Sequence, residues 1–161
     1  MSDLRVGTGV DAHAFSEEAP LVLGGVELPG EPGLAGHSDG DVIAHAIVDA
    51  ILGAAGLGDI GTLFPSSNPQ WKGASSLLFL ERTGEAIRLV GLELVNADCV
   101  LVGERPRIAE HRQEMERRLA GALRVKAERI SVRATTTDGL GFTGRGEGLA
   151  AHAVALIRPT G

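Results

Sequence analysis

The sequence predicts a single α+β domain spanning residues 1–161, a mixed β-sheet with helices packed on one face, and three observations carry that reading. Stretches of period-two and helical patterning follow one another in the order β, hairpin, α, α, β, α, β, β, which implies a sheet with helices gathered on one side. One helical stretch is apolar nearly all round, so it must lie inside. The 161 residues suffice for one well-cored domain and are too few for two ordinary ones.

Taken in order, Leu4 to His13 alternates Val6, Thr8, Val10 and Ala12 with Gly7, Gly9, Asp11 and His13 and reads as a strand. The glycines leave room beside Asp11 and His13 for another element or a ligand. Leu21 to Leu28 reads as a short hairpin with glycines at its turn, and Pro29 to Gly36 as a loop. A helix is expected from about Gly40 to Gly56, with Ser38 and Asp39 as N-cap residues. Its non-apolar positions, Asp41, His45, Asp49 and Gly53, recur every four residues and form one narrow stripe. An unpaired buried carboxylate or imidazole costs several kcal/mol, so that stripe must face something that compensates it.

Leu57 to Gly73 is turn-rich and reads as irregular, a length of connection that in a small domain is usually functional or mobile. Ala74 to Val90 has helical spacing weakened by Gly84, and Leu92 to Val102 is a strand. Pro106 suits the first turn of a helix with Ile108, Met115, Leu119 and Leu123 on its apolar face. Ile130 to Thr136 is a strand, Asp138 to Gly148 a glycine-dense loop, and Leu149 to Arg158, ambiguous by pattern, is taken as a last strand.

Composition narrows the function. A formal charge of -6 and a pI near 5.3 give no general attraction to nucleic acid or to an anionic membrane, so neither is expected as a partner. Any phosphorylated ligand must therefore bind through a local site. With four Phe, one Trp and no Tyr, the core has to be aliphatic. A lone Cys99 excludes an internal disulfide and fits a reducing, cytoplasmic location, where it reads as a small buried hydrophobe. Neither a targeting segment nor an apolar run of membrane-spanning length is visible.

Three groups of residues have the makings of chemistry. Asp11, His13 and His45 converge if the helix packs over the first strand, giving three ligands of the types zinc accepts and a fourth position left open. The alternative is a hydrogen-bonded core pair with His13 at the surface. The run Thr135-Thr-Thr-Asp-Gly-Leu-Gly-Phe-Thr-Gly-Arg-Gly-Glu-Gly148 offers backbone amides, hydroxyls and Arg145 to phosphate oxygens, or equally a hairpin or a subunit contact. It contains a G-x-G-x-x-G match, but only seventeen residues follow Gly144, too few for a dinucleotide-binding unit. His37 and Ser38 stand at a helix N-terminus, which favours an anion, although Ser38 also suits a cap. His111 and His152 have no evident partners and read as structural.

Asp11-Ala-His13, His37-Ser-Asp-Gly-Asp41, His45, Asp49, Gly58-Asp-Ile-Gly61, Phe64-Pro65 and Ala134-Thr-Thr-Thr with Gly141-Phe-Thr-Gly-Arg-Gly-Glu-Gly148 together resemble the 2-C-methyl-D-erythritol 2,4-cyclodiphosphate synthases. The likeness runs from about Leu4 to Arg158 and is to the stand-alone form of the enzyme. It implies a homotrimer with active sites between subunits and a small-molecule cytidine diphosphate substrate. It also implies a zinc or other divalent ion on Asp11, His13 and His45, and a second ion, magnesium or manganese, held by phosphates and Asp138. By the same resemblance His37 and Thr136 steady the transition state, Ser38 contacts substrate, and Asp49 orients a ligand beside the metal. Asp59, Gly61 and Phe64 belong to the part that holds the erythritol. Thr135, Thr136, Thr137 and Asp138, with Gly103 to Ala109, receive the cytidine, and Phe142 and Arg145 lie near the trimer axis and the phosphates. Asp138 stands where the family usually has Glu, Ser66 where it often has Asp, and Arg107 where it often has Lys.

Overall fold

A computed structural model describes residues 3–161 of the chain, so the single-domain expectation reaches beyond it only at residues 1 and 2. Five strands, β1 (Arg5–Leu23), β2 (Val26–Leu34), β3 (Leu92–Val102), β4 (Ile130–Thr135) and β5 (Gly148–Pro159), form one sheet in the order β2-β1-β5-β3-β4. Only the β3–β4 pair is parallel, so the sheet is mixed as expected. The helices α1 (Val42–Ala55), α3 (Ser76–Leu89) and α4 (Arg112–Leu123) cover one face, and two single turns, α2 (Ile60–Leu63) and α5 (Gly141–Gly144), lie in connections.

The strand β1 runs well past the His13 at which it was expected to end. As far as Ala14 it pairs with β5, and from Phe15 it turns to β2, closing the expected hairpin at Leu23↔Val26. The turn residues Gly24 and Gly25 take φ values of 58° and 75°, which only glycine adopts without strain. Much of the expected Pro29 to Gly36 loop is therefore strand, up to Leu34.

The apolar stretch forms α1, and its Ile43, Ile47, Ile51 and Leu52 are fully buried. Each contributes roughly 1.5–3 kcal/mol by leaving water. Close packing on the sheet explains the small residues beneath it: a Cβ on Gly9 would stand 2.1 Å from Ala46 O, and Ala151, Ala153 and Ala155 of β5 are buried on the same face. The N-cap is Asp41, not Ser38 or Asp39, because its carboxylate accepts from Ala44 N at 3.1 Å and also from Gly24 N and Gly25 N at 2.9 and 2.8 Å. Asp41 is thus compensated by the β1–β2 turn rather than by the site that His45 faces.

The Leu57 to Gly73 connection, expected to be irregular, contains α2 and a 3-10 turn at Pro69–Trp71, capped by Asp59 and Asn68. The helix α3 begins at Ser76, after a Ser75 cap. The next helix starts at Arg112 and not near Pro106, although Ile108 is buried as its expected apolar face required. Arg112 Nε donates to Val132 O at 2.7 Å and fastens the helix start to β4. The β4 and β5 strands match expectation within a residue or two, and a helical turn, α5, interrupts the glycine-dense loop between them.

Cys99 is fully buried, and burial pushes its thiol far up, as suits a hydrophobe. His152 is not partnerless: its Nε2 stands 2.7 Å from Thr8 Oγ1. That contact lies on the sheet face away from the helices, where Val6 and Val10 are 68% and 65% exposed and Val154 42%. Among the described residues no helix is long and apolar enough to cross a membrane.

Candidate metal centre

The close approach of β1 and α1 decides where the ligands meet. Asp11 and His13 share the inner face of β1, and His45 lies one turn into α1, which crosses directly over that face. Their ligand atoms all lie within 4.8 Å of one another. Asp11 Oδ2 is 2.9 Å from His13 Nε2 and 3.1 Å from His45 Nδ1, so one carboxylate oxygen faces both imidazoles. The two rings are set edge to face, 5.7 Å between centroids.

The electrostatics follow from this crowding. Burial pushes the Asp11 carboxyl up, but the two imidazoles it faces, His13 and His45, together outweigh it and hold the group at about 2. His13 is pushed up, chiefly by its contact with Asp11 and against the effect of burial. His13 Nε2, despite its distance from Asp11, is a buried atom with no properly directed hydrogen bond. Two imidazole nitrogens and a carboxylate oxygen converging on one point, one nitrogen left without a hydrogen bond, are a donor set that a divalent ion of the zinc type fits.

A cleft of about 220 Å³ opens beside these three residues and is lined also by His37, Ser38, Gly61 and Phe64. The structure therefore brings seven of the expected residues together. Sequence reasoning missed Phe79 and Trp71 on the far wall, where Phe79 stacks on Phe64 at 4.6 Å and Trp71 stands edge-on to both. The signal for it was the scarcity of aromatics: three of the chain's five are spent here. Also missed was Ser76, whose Oγ lies 2.7 Å from His45 Nε2.

Other expected residues stand apart from the cleft. Asp49 Oδ1 accepts from Ile60 N at 2.7 Å, tying α1 to the start of α2, and burial raises its carboxyl. Asp59 caps α2, accepting from Thr62 N and Oγ1, bonds that hold its carboxyl low. Thr135 ends β4 at the sheet's far edge and Thr136, Thr137 and Asp138 follow it, while Phe142 and Arg145 lie in and just after α5, on the way to β5. Thr137 Oγ1 donates to Leu140 O, Thr136 Oγ1 is 3.2 Å from Asp138 Oδ1, and Arg145 pairs with Glu147.

The register measures that separation. Ala12 pairs with Ala150, Ala150 with Val102, and Val102 with Thr135, so the residues after Ala12 and after Thr135 emerge from one end of the sheet. They are three interstrand steps apart, roughly 14 Å. One chain thus carries two half-sites at the same end, separated by the width of β5 and β3.

A family model described as the YgbB family matches residues 4–158. A 2-C-methyl-D-erythritol 2,4-cyclodiphosphate synthase of Pelotomaculum thermopropionicum is 52% identical over 158 residues, 98% of each chain. Another from Rubrobacter xylanophilus is 56% identical over 162 residues, 98% of this chain and 96% of that one. A solved structure of IspF from Plasmodium falciparum, a CDP complex, superposes with a TM-score of 0.85 at 34% identity over 98% of this chain and 97% of its own.

Proposed function

The chain belongs to the YgbB family, and on that premise we propose that Asp11, His13 and His45 form the metal centre of a 2-C-methyl-D-erythritol 2,4-cyclodiphosphate synthase. The reaction converts 4-diphosphocytidyl-2-C-methyl-D-erythritol 2-phosphate into the cyclic diphosphate with release of CMP, in non-mevalonate isoprenoid synthesis. An oxygen of the 2-phosphate bonds to the β-phosphorus, the bond from that phosphorus to the α–β bridging oxygen breaks, and CMP leaves with the electron pair, which makes the enzyme a phosphorus–oxygen lyase.

A phosphate monoester, with a second pKa of about 6, is largely dianionic at neutral pH, so the nucleophile needs no base. The obstacle is repulsion between anions, and their orientation. Asp11, His13 and His45 would hold a divalent ion, zinc by their chemistry, and Asp138 with the substrate's phosphates would hold a second, magnesium or manganese; bound there, the two would neutralise charge and polarise the phosphate. The chain's own part is to hold the substrate in line. His37, at the cleft, steadies the transition state and Ser38 contacts the substrate; Gly61 and Phe64, with Asp59 behind them, take the erythritol; and the aromatic wall keeps water from the reacting end. Thr136 steadies the transition state, Thr135 and Thr137 receive the nucleotide, Asp138 helps hold the second ion, and Arg145 and Phe142 flank the phosphates.

The two half-sites support a homotrimer in which the threonine loop of one chain completes the metal cleft of the next. The apolar, exposed sheet face around Val6, Val10 and Val154 supplies a surface for that assembly. The single observation that carries the whole reading is the convergence of Asp11, His13 and His45 at the cleft. Release of CMP from the diphosphocytidyl substrate, measured with and without a chelator, tests it. Chelation and His45→Ala should each abolish turnover, and a His45→Ala protein with near-normal turnover would remove the metal assignment.

A further inference from the structure

We infer that Ser76 and Asp39 are positioning residues for His45, forming a hydrogen-bonded chain that keeps its proton on Nε2 and turns the Nδ1 lone pair toward the metal position. The inference rests on the metal centre proposed above and extends it to residues outside the ligand set.

The argument is one of donors and acceptors. Ser76 is fully buried at the first position of α3, and His45 is 8% exposed. Three donors converge on the Asp39 carboxylate: Ser76 N at 2.8 Å, Asp41 N at 3.1 Å, and the Ser76 hydroxyl in a short contact. A carboxylate in that position accepts, so the single hydroxyl proton of Ser76 points to Asp39. Ser76 Oγ then has only lone pairs to offer to His45 Nε2, 2.7 Å away, and that nitrogen must carry its hydrogen. Ser38 Oγ, 3.1 Å from the same nitrogen, is placed to share it.

The consequence falls on the other side of the ring. With its proton on Nε2, His45 presents a bare Nδ1 to Asp11 Oδ2 at 3.1 Å, two lone pairs face to face. A cation between them turns that repulsion into two bonds. Asp39 is available for this because Asp41, not Asp39, caps α1. Ligating histidines are commonly oriented through their second nitrogen in this way, and loss of such a partner typically weakens metal binding about 10–100-fold.

Ser76→Ala and Asp39→Asn test the chain by different routes. The alanine deletes the acceptor. The asparagine keeps the shape of the carboxylate but can turn an N–H toward Ser76, reversing the hydroxyl and with it the favoured tautomer. Zinc affinity by chelator competition, the visible spectrum of the cobalt-loaded protein, and the ¹⁵N shifts of the His45 ring are read for each and for wild type. The expected result is one zinc per wild-type chain with the proton on Nε2. Each variant should bind zinc about 10–100-fold more weakly, with an altered cobalt spectrum and little change in the melting temperature of the metal-free protein. Unchanged affinity with a lowered metal-free melting temperature would show that Asp39 and Ser76 only cap α3, and would overturn the inference while leaving the metal centre standing. A wild-type chain that binds no zinc would overturn both.

Discussion

Asp41 shows how one carboxylate can be satisfied and still strained. Burial, and then the charge of Asp39, raise its pKa from 3.8 to about 6, against the pull of three backbone N–H groups. A folded-state value above the unfolded one means that the folded protein holds the proton more tightly. The stability this confers is complete below pH 3.8 and is lost as the pH rises to about 6. Asp41→Asn cannot titrate, so relative to wild type it should fare better at pH 7 than at pH 4. Urea unfolding at the two pH values measures this, and a difference that does not move with pH would contradict it. At this scale the sequence was informative where spacing decides: Asp11 and His13 two apart on a strand, His45 on a polar stripe. It misled where several equivalent side chains compete. Ser38, Asp39 and Asp41 all suit a cap, and the winner is chosen by the distant Gly24–Gly25 turn, which local pattern does not contain. Ser76 gave no signal, because a serine beginning a helix looks the same whether or not an imidazole rests on it.

Elements were legible where burial alternates and obscure where it does not. Burial alternates in β3 on either side of the irregularity between Leu94 and Asn96, and its limits were read to the residue; β5 alternates as well, but its sequence was ambiguous by pattern and was taken as a strand. The far half of β1, Ser16-Glu-Glu-Ala-Pro20, has no apolar alternation, and its ladder with β2 shifts register on both sides of Pro20, so pattern ended the strand too soon. The link between α1 and α2 lies on the same scale. Asp49 holds the amide of Ile60, and Ile60 and Gly61 both line the cleft, so the bond sets one wall of the pocket without touching the ligands. Asp49→Ala should raise KM several-fold and leave zinc content unchanged. Steady-state kinetics paired with metal analysis reads both, and lost zinc with an unaltered KM would instead make Asp49 part of the metal centre.

For the whole molecule, the order of patterns sufficed to predict the mixed sheet with helices on one face, because that order admits few arrangements. What it did not reveal is that the apolar set of β1, Val6 and Val10, faces away from the helices, while glycines face in. Val10→Glu should therefore leave the fold intact and break the proposed trimer, with activity falling as it dissociates. Sedimentation and the CMP assay follow the two together; a chain that stays trimeric would show that this face is not the seam. The two half-sites, three strands apart, give such a ring a division of labour. In the proposed trimer every copy would lend its threonines to one neighbour and take them from the other. Two inert forms, one crippled at His45 and one at Thr136, would thus repair each other when mixed, since some seams would join the sound half of each.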